Sequence, residues 1–185
     1  APFGPGVSRD LWLRTSPELA LKRLLVAGAG PVFELARVWR NGEASPRHAS
    51  EFTMLEWYRP GLGFAGLMTE TEEFIRAVAP PIVAHGDATT DLSLPFERIT
   101  MAEAFARWCN GLDILGTEGD TARLHAAAQA AGFTPHADEG WEDLFFRLLL
   151  EHIEPQLGRG RATFLTHWPA PQAALARRDP ADPRA

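Results

Sequence analysis

The feature that most constrains this chain is a pair of β-prone runs separated by a long polar connection. Residues 31–40 carry Val32, Phe33, Leu35, Val38 and Trp39, and Glu51–Tyr58 carries Phe52, Met54, Leu55, Trp57 and Tyr58. The stretch between them, residues 41–50, is mostly polar, so the runs predict an antiparallel hairpin with a loop longer than chain reversal requires. Alternation along the second run puts Phe52, Met54, Glu56 and Tyr58 on one face and Thr53, Leu55 and Trp57 on the other. A carboxylate and a phenol on an otherwise apolar face cost free energy unless something pairs with them. Arg40 across the hairpin, or the ammonium of a ligand, would supply that partner.

Short elements are expected on either side. Leu11, Trp12 and Leu13 predict a strand. Thr15-Ser16-Pro17-Glu18 predicts a helix start, with Ser16 as N-cap, Pro17 at the first helical position and Glu18 in the first turn; Leu21, Leu24 and Leu25 then recur at helical spacing up to Gly28. Beyond Pro60 the period becomes helical at residues 70–79, at Met101–Trp108 behind a Thr100 cap, and at residues 121–131 and 141–153, before a last strand at 161–168. The expected fold is α+β, an antiparallel sheet flanked by helices. Residues 1–60 would carry the hairpin, 61–160 a mainly helical part or insertion, and 161–185 a return strand and a Pro-rich, charged tail that reads as a truncated linker.

Composition narrows the function classes. An apolar share of 45% over 185 residues supports a sizeable core, and a net charge of −6 leaves no basic surplus for broad phosphate neutralisation. The lone Cys109 cannot form an internal disulfide, and no apolar run is long enough to span a membrane, so a cytoplasmic protein is expected. Six scattered histidines make no metal-ligand spacing, and Gly28-Ala29-Gly30 lacks the lysine and spacing of a phosphate loop. His152, behind Leu148-Leu149-Leu150, reads as helix-end packing. The chemistry therefore falls to the hairpin, where Arg40 offers a planar fork for a phosphate and Phe52 a ring for a purine. The same pattern also fits an ordinary surface hairpin with solvated charges, Phe52 and Tyr58 in the core, and His48 as a loop residue.

The hairpin residues Val38-Trp39-Arg40-Asn41-Gly42-Glu43 and Arg47-His48-Ala49-Ser50-Glu51-Phe52-Thr53-Met54 resemble motif 2 of class II aminoacyl-tRNA synthetases of the lysyl branch. Upstream, Thr15-Ser16-Pro17-Glu18, Lys22-Arg23-Leu24-Leu25-Val26-Ala27-Gly28 and Gly30-Pro31-Val32-Phe33 are similar to the segment preceding that motif. Met54-Leu55-Glu56-Trp57-Tyr58-Arg59-Pro60 and His167-Trp168-Pro169-Ala170 resemble the paralogous ligases that modify a lysine of elongation factor P. The resemblance implies that Ser16, Pro17 and Glu18 line an amino-acid pocket, that Glu18 and Glu56 meet ammonium groups, and that Tyr58 closes the pocket. It implies that Arg40 holds the α-phosphate and the substrate carboxylate, and that Asn41, Gly42, Glu43, His48, Ala49 and Phe52 surround ATP. Two positions depart from the family pattern: Gly42 stands where a glutamate follows Arg-Asn, and Ala49 where an asparagine follows the histidine.

The implied reaction is activation of lysine or β-lysine as an adenylate by ATP with Mg2+, followed by transfer to a lysine of elongation factor P. A lysyl-tRNA synthetase charging tRNA and an inactive synthetase-like binding module are the alternatives. The Gly-rich motif 3 and the magnesium-binding glutamates of the family are not found, so the class II fold is expected to be incomplete here. The metal ligands are expected outside the segment, the segment alone to be inactive, and the whole protein to be a homodimer.

Overall fold

The computed structural model describes residues 11–46 and 48–185; Arg47, part of the motif 2 resemblance, lies outside them. The chain divides between Leu67 and Met68 into two compact units.

The first unit is the hairpin with one helix. Strand β1 (Val32–Trp39) pairs antiparallel with β2 (Glu51–Tyr58), in a register that sets Val32 opposite Tyr58, Glu34 opposite Glu56, and Val38 opposite Phe52. β-Branched and aromatic side chains suit this pleated surface. Only Ala36 and Val38 of the strands are buried, and both belong to the face of Phe52 and Glu56. Helix α1 (Glu18–Val26) lies against the hairpin and buries Leu21. It ends at a left-handed Gly28 with φ of 84°, a conformation that a side chain would strain.

Two expectations are corrected here. Leu11, Trp12 and Leu13 form no strand; all three are exposed, although the chain behind them is tied to β1 where the Trp39 amide donates to the Arg14 carbonyl at 2.9 Å. The helix begins one residue later than expected, with Pro17 as its N-cap, although the Ser16 hydroxyl still accepts from the Glu18 amide as a capping side chain would, while donating to the Glu56 carboxylate.

Helix α2 (Phe64–Val78) crosses the division point. In the second unit, α3 (Met101–Trp108), α4 (Thr121–Ala130) and α5 (Trp141–Leu148) enclose the core. Local chemistry sets their starts. The Thr100 hydroxyl accepts from the Glu103 amide while Glu103 accepts from the Thr100 amide, and Asp120 accepts from the Arg123 amide. Phe145 lies at the centre, with ring centroids 4.9 Å from Trp141 and 5.5 Å from Phe105. The buried Trp141 indole finds its acceptor in the Thr117 hydroxyl at 2.8 Å. After α5 the chain loosens into a π-helical turn over Leu149–Ile153, and His152 lies against the Phe133 ring, 4.9 Å between centroids.

The sheets of this unit are shorter and more mixed than the periodicity predicts. Strands β3 (Ile82–His85) and β4 (Ala88–Asp91) form an antiparallel pair, while β4 with β6 (Gly160–Arg161), and β5 (Glu97–Thr100) with β7 (Thr163–Thr166), pair in parallel. The α+β content and the antiparallel pairs stand, and two parallel pairs join them. Residues 170–185 hold no strand or α-helix, yet they fold back, with the Ala170 amide donating to the Arg184 carbonyl at 2.7 Å and His167 3.2 Å from Asp179.

Candidate active site

Residues directly opposite in an antiparallel pair share a face. The register therefore puts Phe52, Met54, Glu56 and Tyr58 of β2 on the same side as Val38, Ala36 and Glu34 of β1. Arg40 continues this row: its amide donates to the Ser50 carbonyl at 2.9 Å, and its guanidinium carbon lies 5.5 Å from the Phe52 ring centroid. A cation and an aromatic ring are thus side by side at the loop end of the hairpin.

Toward the other end the face carries a hydrogen-bonded carboxylate. The Ser16 hydroxyl donates to Glu56 Oε2 at 2.8 Å, and the Tyr58 hydroxyl donates to Glu56 Oε1 at 2.6 Å. Ser16 Oγ in turn accepts from the Glu18 amide at 3.0 Å, so the start of α1 is fastened to β2 through one hydroxyl. Burial, followed by the hydrogen bond to Glu56 and the negative charge of Glu56 and Glu18, pushes the Tyr58 phenol well above its ordinary range and keeps it a donor. Among the described residues no cation pairs with Glu56. Each carboxylate oxygen retains acceptor capacity. Glu56 is thereby oriented by two hydroxyls and not neutralised by any of the described residues, an arrangement suited to an ammonium.

The other expected site residues are placed less uniformly. Glu18 stands 2.5 Å from Lys22 one turn along α1, so it already has a cation, and Pro17 is fully buried beneath it. Glu43 lies 3.7 Å from Arg40. Asn41 and Gly42 form an exposed turn in which Gly42 takes a φ of 80°; a glutamate there would be strained, which accounts locally for the departure from the family pattern. His48 and Ala49 are exposed in the loop, and His48 Nδ1 is 2.9 Å from the Ser45 hydroxyl. Periodicity missed two charged residues of this unit, Arg14 and Glu34. Glu34 breaks the apolar row Val32, Ala36, Val38 and was findable by that break; Arg14 lies outside any periodic element.

The residues fit some of the groups that the chemistry calls for and not others. The Arg40 fork beside Phe52 is a donor set for a phosphate next to a flat ring. No group of three or more His, Cys, Asp or Glu side chains among the described residues is arranged to hold a metal ion. Burial raises the Cys109 thiol to about 11, which makes it a core side chain and no nucleophile. No described helix is long and apolar enough to cross a membrane.

An α+β chain with a motif 2 hairpin of this geometry defines a class, and the comparison with known families agrees: the profile of class II tRNA synthetases (D, K and N) matches residues 6–184, and the chain belongs to that family. Among curated proteins it is similar to ligases. It is 39% identical over 184 residues to the elongation factor P–(R)-beta-lysine ligase of Haemophilus influenzae, covering 100% of this chain and 52% of that protein. The ligases of the same name from Pseudoalteromonas translucida and Erwinia tasmaniensis are 41% identical over 180 residues and 37% over 185, covering 94% and 98% of this chain. The chain spans about half the length of the curated relatives it matches, between 50% and 52%.

Proposed function

We propose that this chain supplies the amino-acid and adenine side of an ATP-dependent ligase that activates lysine or β-lysine as its adenylate, for transfer to a lysine of elongation factor P. The observation that carries the reading is Glu56, held by Ser16 and Tyr58 with no cation among the described residues, on the same hairpin face as Arg40 over Phe52. The names of the relatives supply the acceptor and the amino acid.

In this reading Glu56 takes a substrate ammonium, Ser16 and Tyr58 hold the carboxylate in place, and Phe52 stacks on the adenine. The substrate carboxylate attacks the α-phosphorus of ATP; the carboxylate–phosphorus bond forms, the bond to the β-phosphate oxygen breaks, and pyrophosphate leaves. Arg40 stabilises the charge that builds on the α-phosphate and orients the attacking carboxylate. Asn41, Gly42, Glu43, His48 and Ala49 border the nucleotide as loop residues. Magnesium would neutralise the phosphates, and its ligands are to be sought outside residues 1–185. That segment alone is accordingly expected to bind substrates weakly and not to sustain activation, and the active protein is expected to be a homodimer in the cytoplasm.

The test is exchange of labelled pyrophosphate into ATP by the protein expressed from its complete gene, followed by transfer of labelled lysine or β-lysine to elongation factor P and, separately, to tRNA. Exchange that depends on lysine or β-lysine, with label passed to elongation factor P, is the expected result. Label passed to tRNA would replace the acceptor, and absence of exchange would remove the reading.

A further inference from the structure

Arg14 makes three contacts with β1. Its carbonyl accepts from the Trp39 amide at 2.9 Å, its Nε donates to the Arg37 carbonyl at 3.2 Å, and its Nη1 lies 2.7 Å from Glu34 Oε1. Glu34 is the residue directly opposite Glu56 in the ladder, so the two carboxylates project from one face of one rung. Two like charges at that spacing repel. Arg14 meets this repulsion from the Glu34 side. As a half-exposed ion pair it contributes little to stability, so its consequence lies in where it leaves charge. Glu18 is likewise matched, by Lys22. Among the described residues, Glu18 and Glu34 each have a cation as partner, and Glu56 has only hydroxyl donors.

We propose that Arg14 is a positioning residue for the amino-acid site: by neutralising Glu34 it leaves Glu56 as the one carboxylate of that rung open to a substrate ammonium. The inference rests on the reading that Glu56 receives that ammonium. Without Arg14 the two carboxylate charges would stand unneutralised side by side, and acid would relieve their repulsion at the expense of the ammonium. Without Glu34, Arg14 would turn its charge toward Glu56 and compete with the substrate.

The experiment is lysine-dependent pyrophosphate exchange as a function of pH, in the protein expressed from its complete gene. The variants are Arg14→Met, Arg14→Lys, Glu34→Gln and the double variant Arg14→Met with Glu34→Gln. In Arg14→Met the acid limb of kcat/KM for lysine should move up by about one pH unit, the smaller end of shifts caused by a neighbouring like charge. It should stay in place in Arg14→Lys and return in the double variant. Glu34→Gln should move the limb down and raise KM for lysine several-fold, with KM for ATP unchanged. A merely structural role for Arg14 would leave the acid limb where it is in all four. An unmoved limb in Arg14→Met and Glu34→Gln, or a double variant that fails to return it, overturns the inference. Absence of lysine-dependent exchange in the unmodified protein instead overturns the functional reading on which it rests.

Discussion

The hairpin unit and the helical unit treat their aromatic and charged residues in opposite ways. In the helical unit Phe105 and Phe145 are fully buried and Trp141 nearly so, with its indole satisfied by Thr117. Arg147 is clasped by Glu139 at 2.5 and 2.8 Å. In the hairpin unit Phe33 and Leu35 are 74% and 67% exposed, and the polar groups converge on a carboxylate for which the described residues provide no cation. A core closes its polar groups on one another; a site leaves one of them open toward a ligand. Stability and chemistry are thus expected to reside in different units, and substitutions should separate them.

The largest effect should come from Phe145→Ala. Truncating a fully buried aromatic at the centre of the core removes its packing and leaves a cavity, at a cost of about 3–5 kcal/mol. Thermal or denaturant unfolding measures it. If the two units divide the work as described, pyrophosphate exchange per folded molecule is unchanged. Next is Arg40→Lys, which keeps the charge and loses the planar fork. Exchange should fall on the order of a hundredfold while the unfolding midpoint stays put. An unchanged rate would take Arg40 out of the mechanism.

The smallest effect is a pH dependence. The hydrogen bonds from Arg147 hold Glu139 at about 2, below the ordinary range near 4.3 of an unfolded glutamate. The folded state thus binds protons less readily than the unfolded chain. Its contribution is complete above the unfolded value and is lost as the pH falls from there through about 2. Glu139→Gln should lower the melting temperature modestly at neutral pH and flatten its acid decline over that window. A decline as steep in the variant as in the unmodified protein would assign acid sensitivity to other carboxylates.

What was legible in the sequence follows the same division. Period-two alternation set the hairpin and its polar row, because a half-buried strand imposes that period whatever surrounds it. The long helices were legible for the same reason, and Thr100 marked one start correctly. The short strands β3, β4 and β5 escaped, since strands of four residues carry too few alternations to read, and the parallel partners of β4 and β5 lie far along the chain. Leu11, Trp12 and Leu13 looked like a strand and are not one: composition gives a propensity, and pairing needs a neighbour that no local signal reveals. Ser16 was legible as a group at the helix start, whereas its bond to Glu56, distant in sequence, became visible only with the fold. Arg14 had no periodic signature, and its place beside Glu34 is a product of the fold.

The central claim is that Glu56 receives the ammonium of a lysine-type substrate. Lysine-dependent pyrophosphate exchange by Glu56→Gln, in the protein expressed from its complete gene, tests it most directly, because glutamine keeps the shape and one acceptor oxygen, its amide donating to the other hydroxyl, while removing the charge. The account predicts that kcat/KM for lysine falls on the order of a hundredfold, as expected when a charge-assisted hydrogen bond is lost from a desolvated pair, with KM for ATP and the melting temperature nearly unchanged. A variant that exchanges pyrophosphate with lysine as efficiently as the unmodified protein would contradict it.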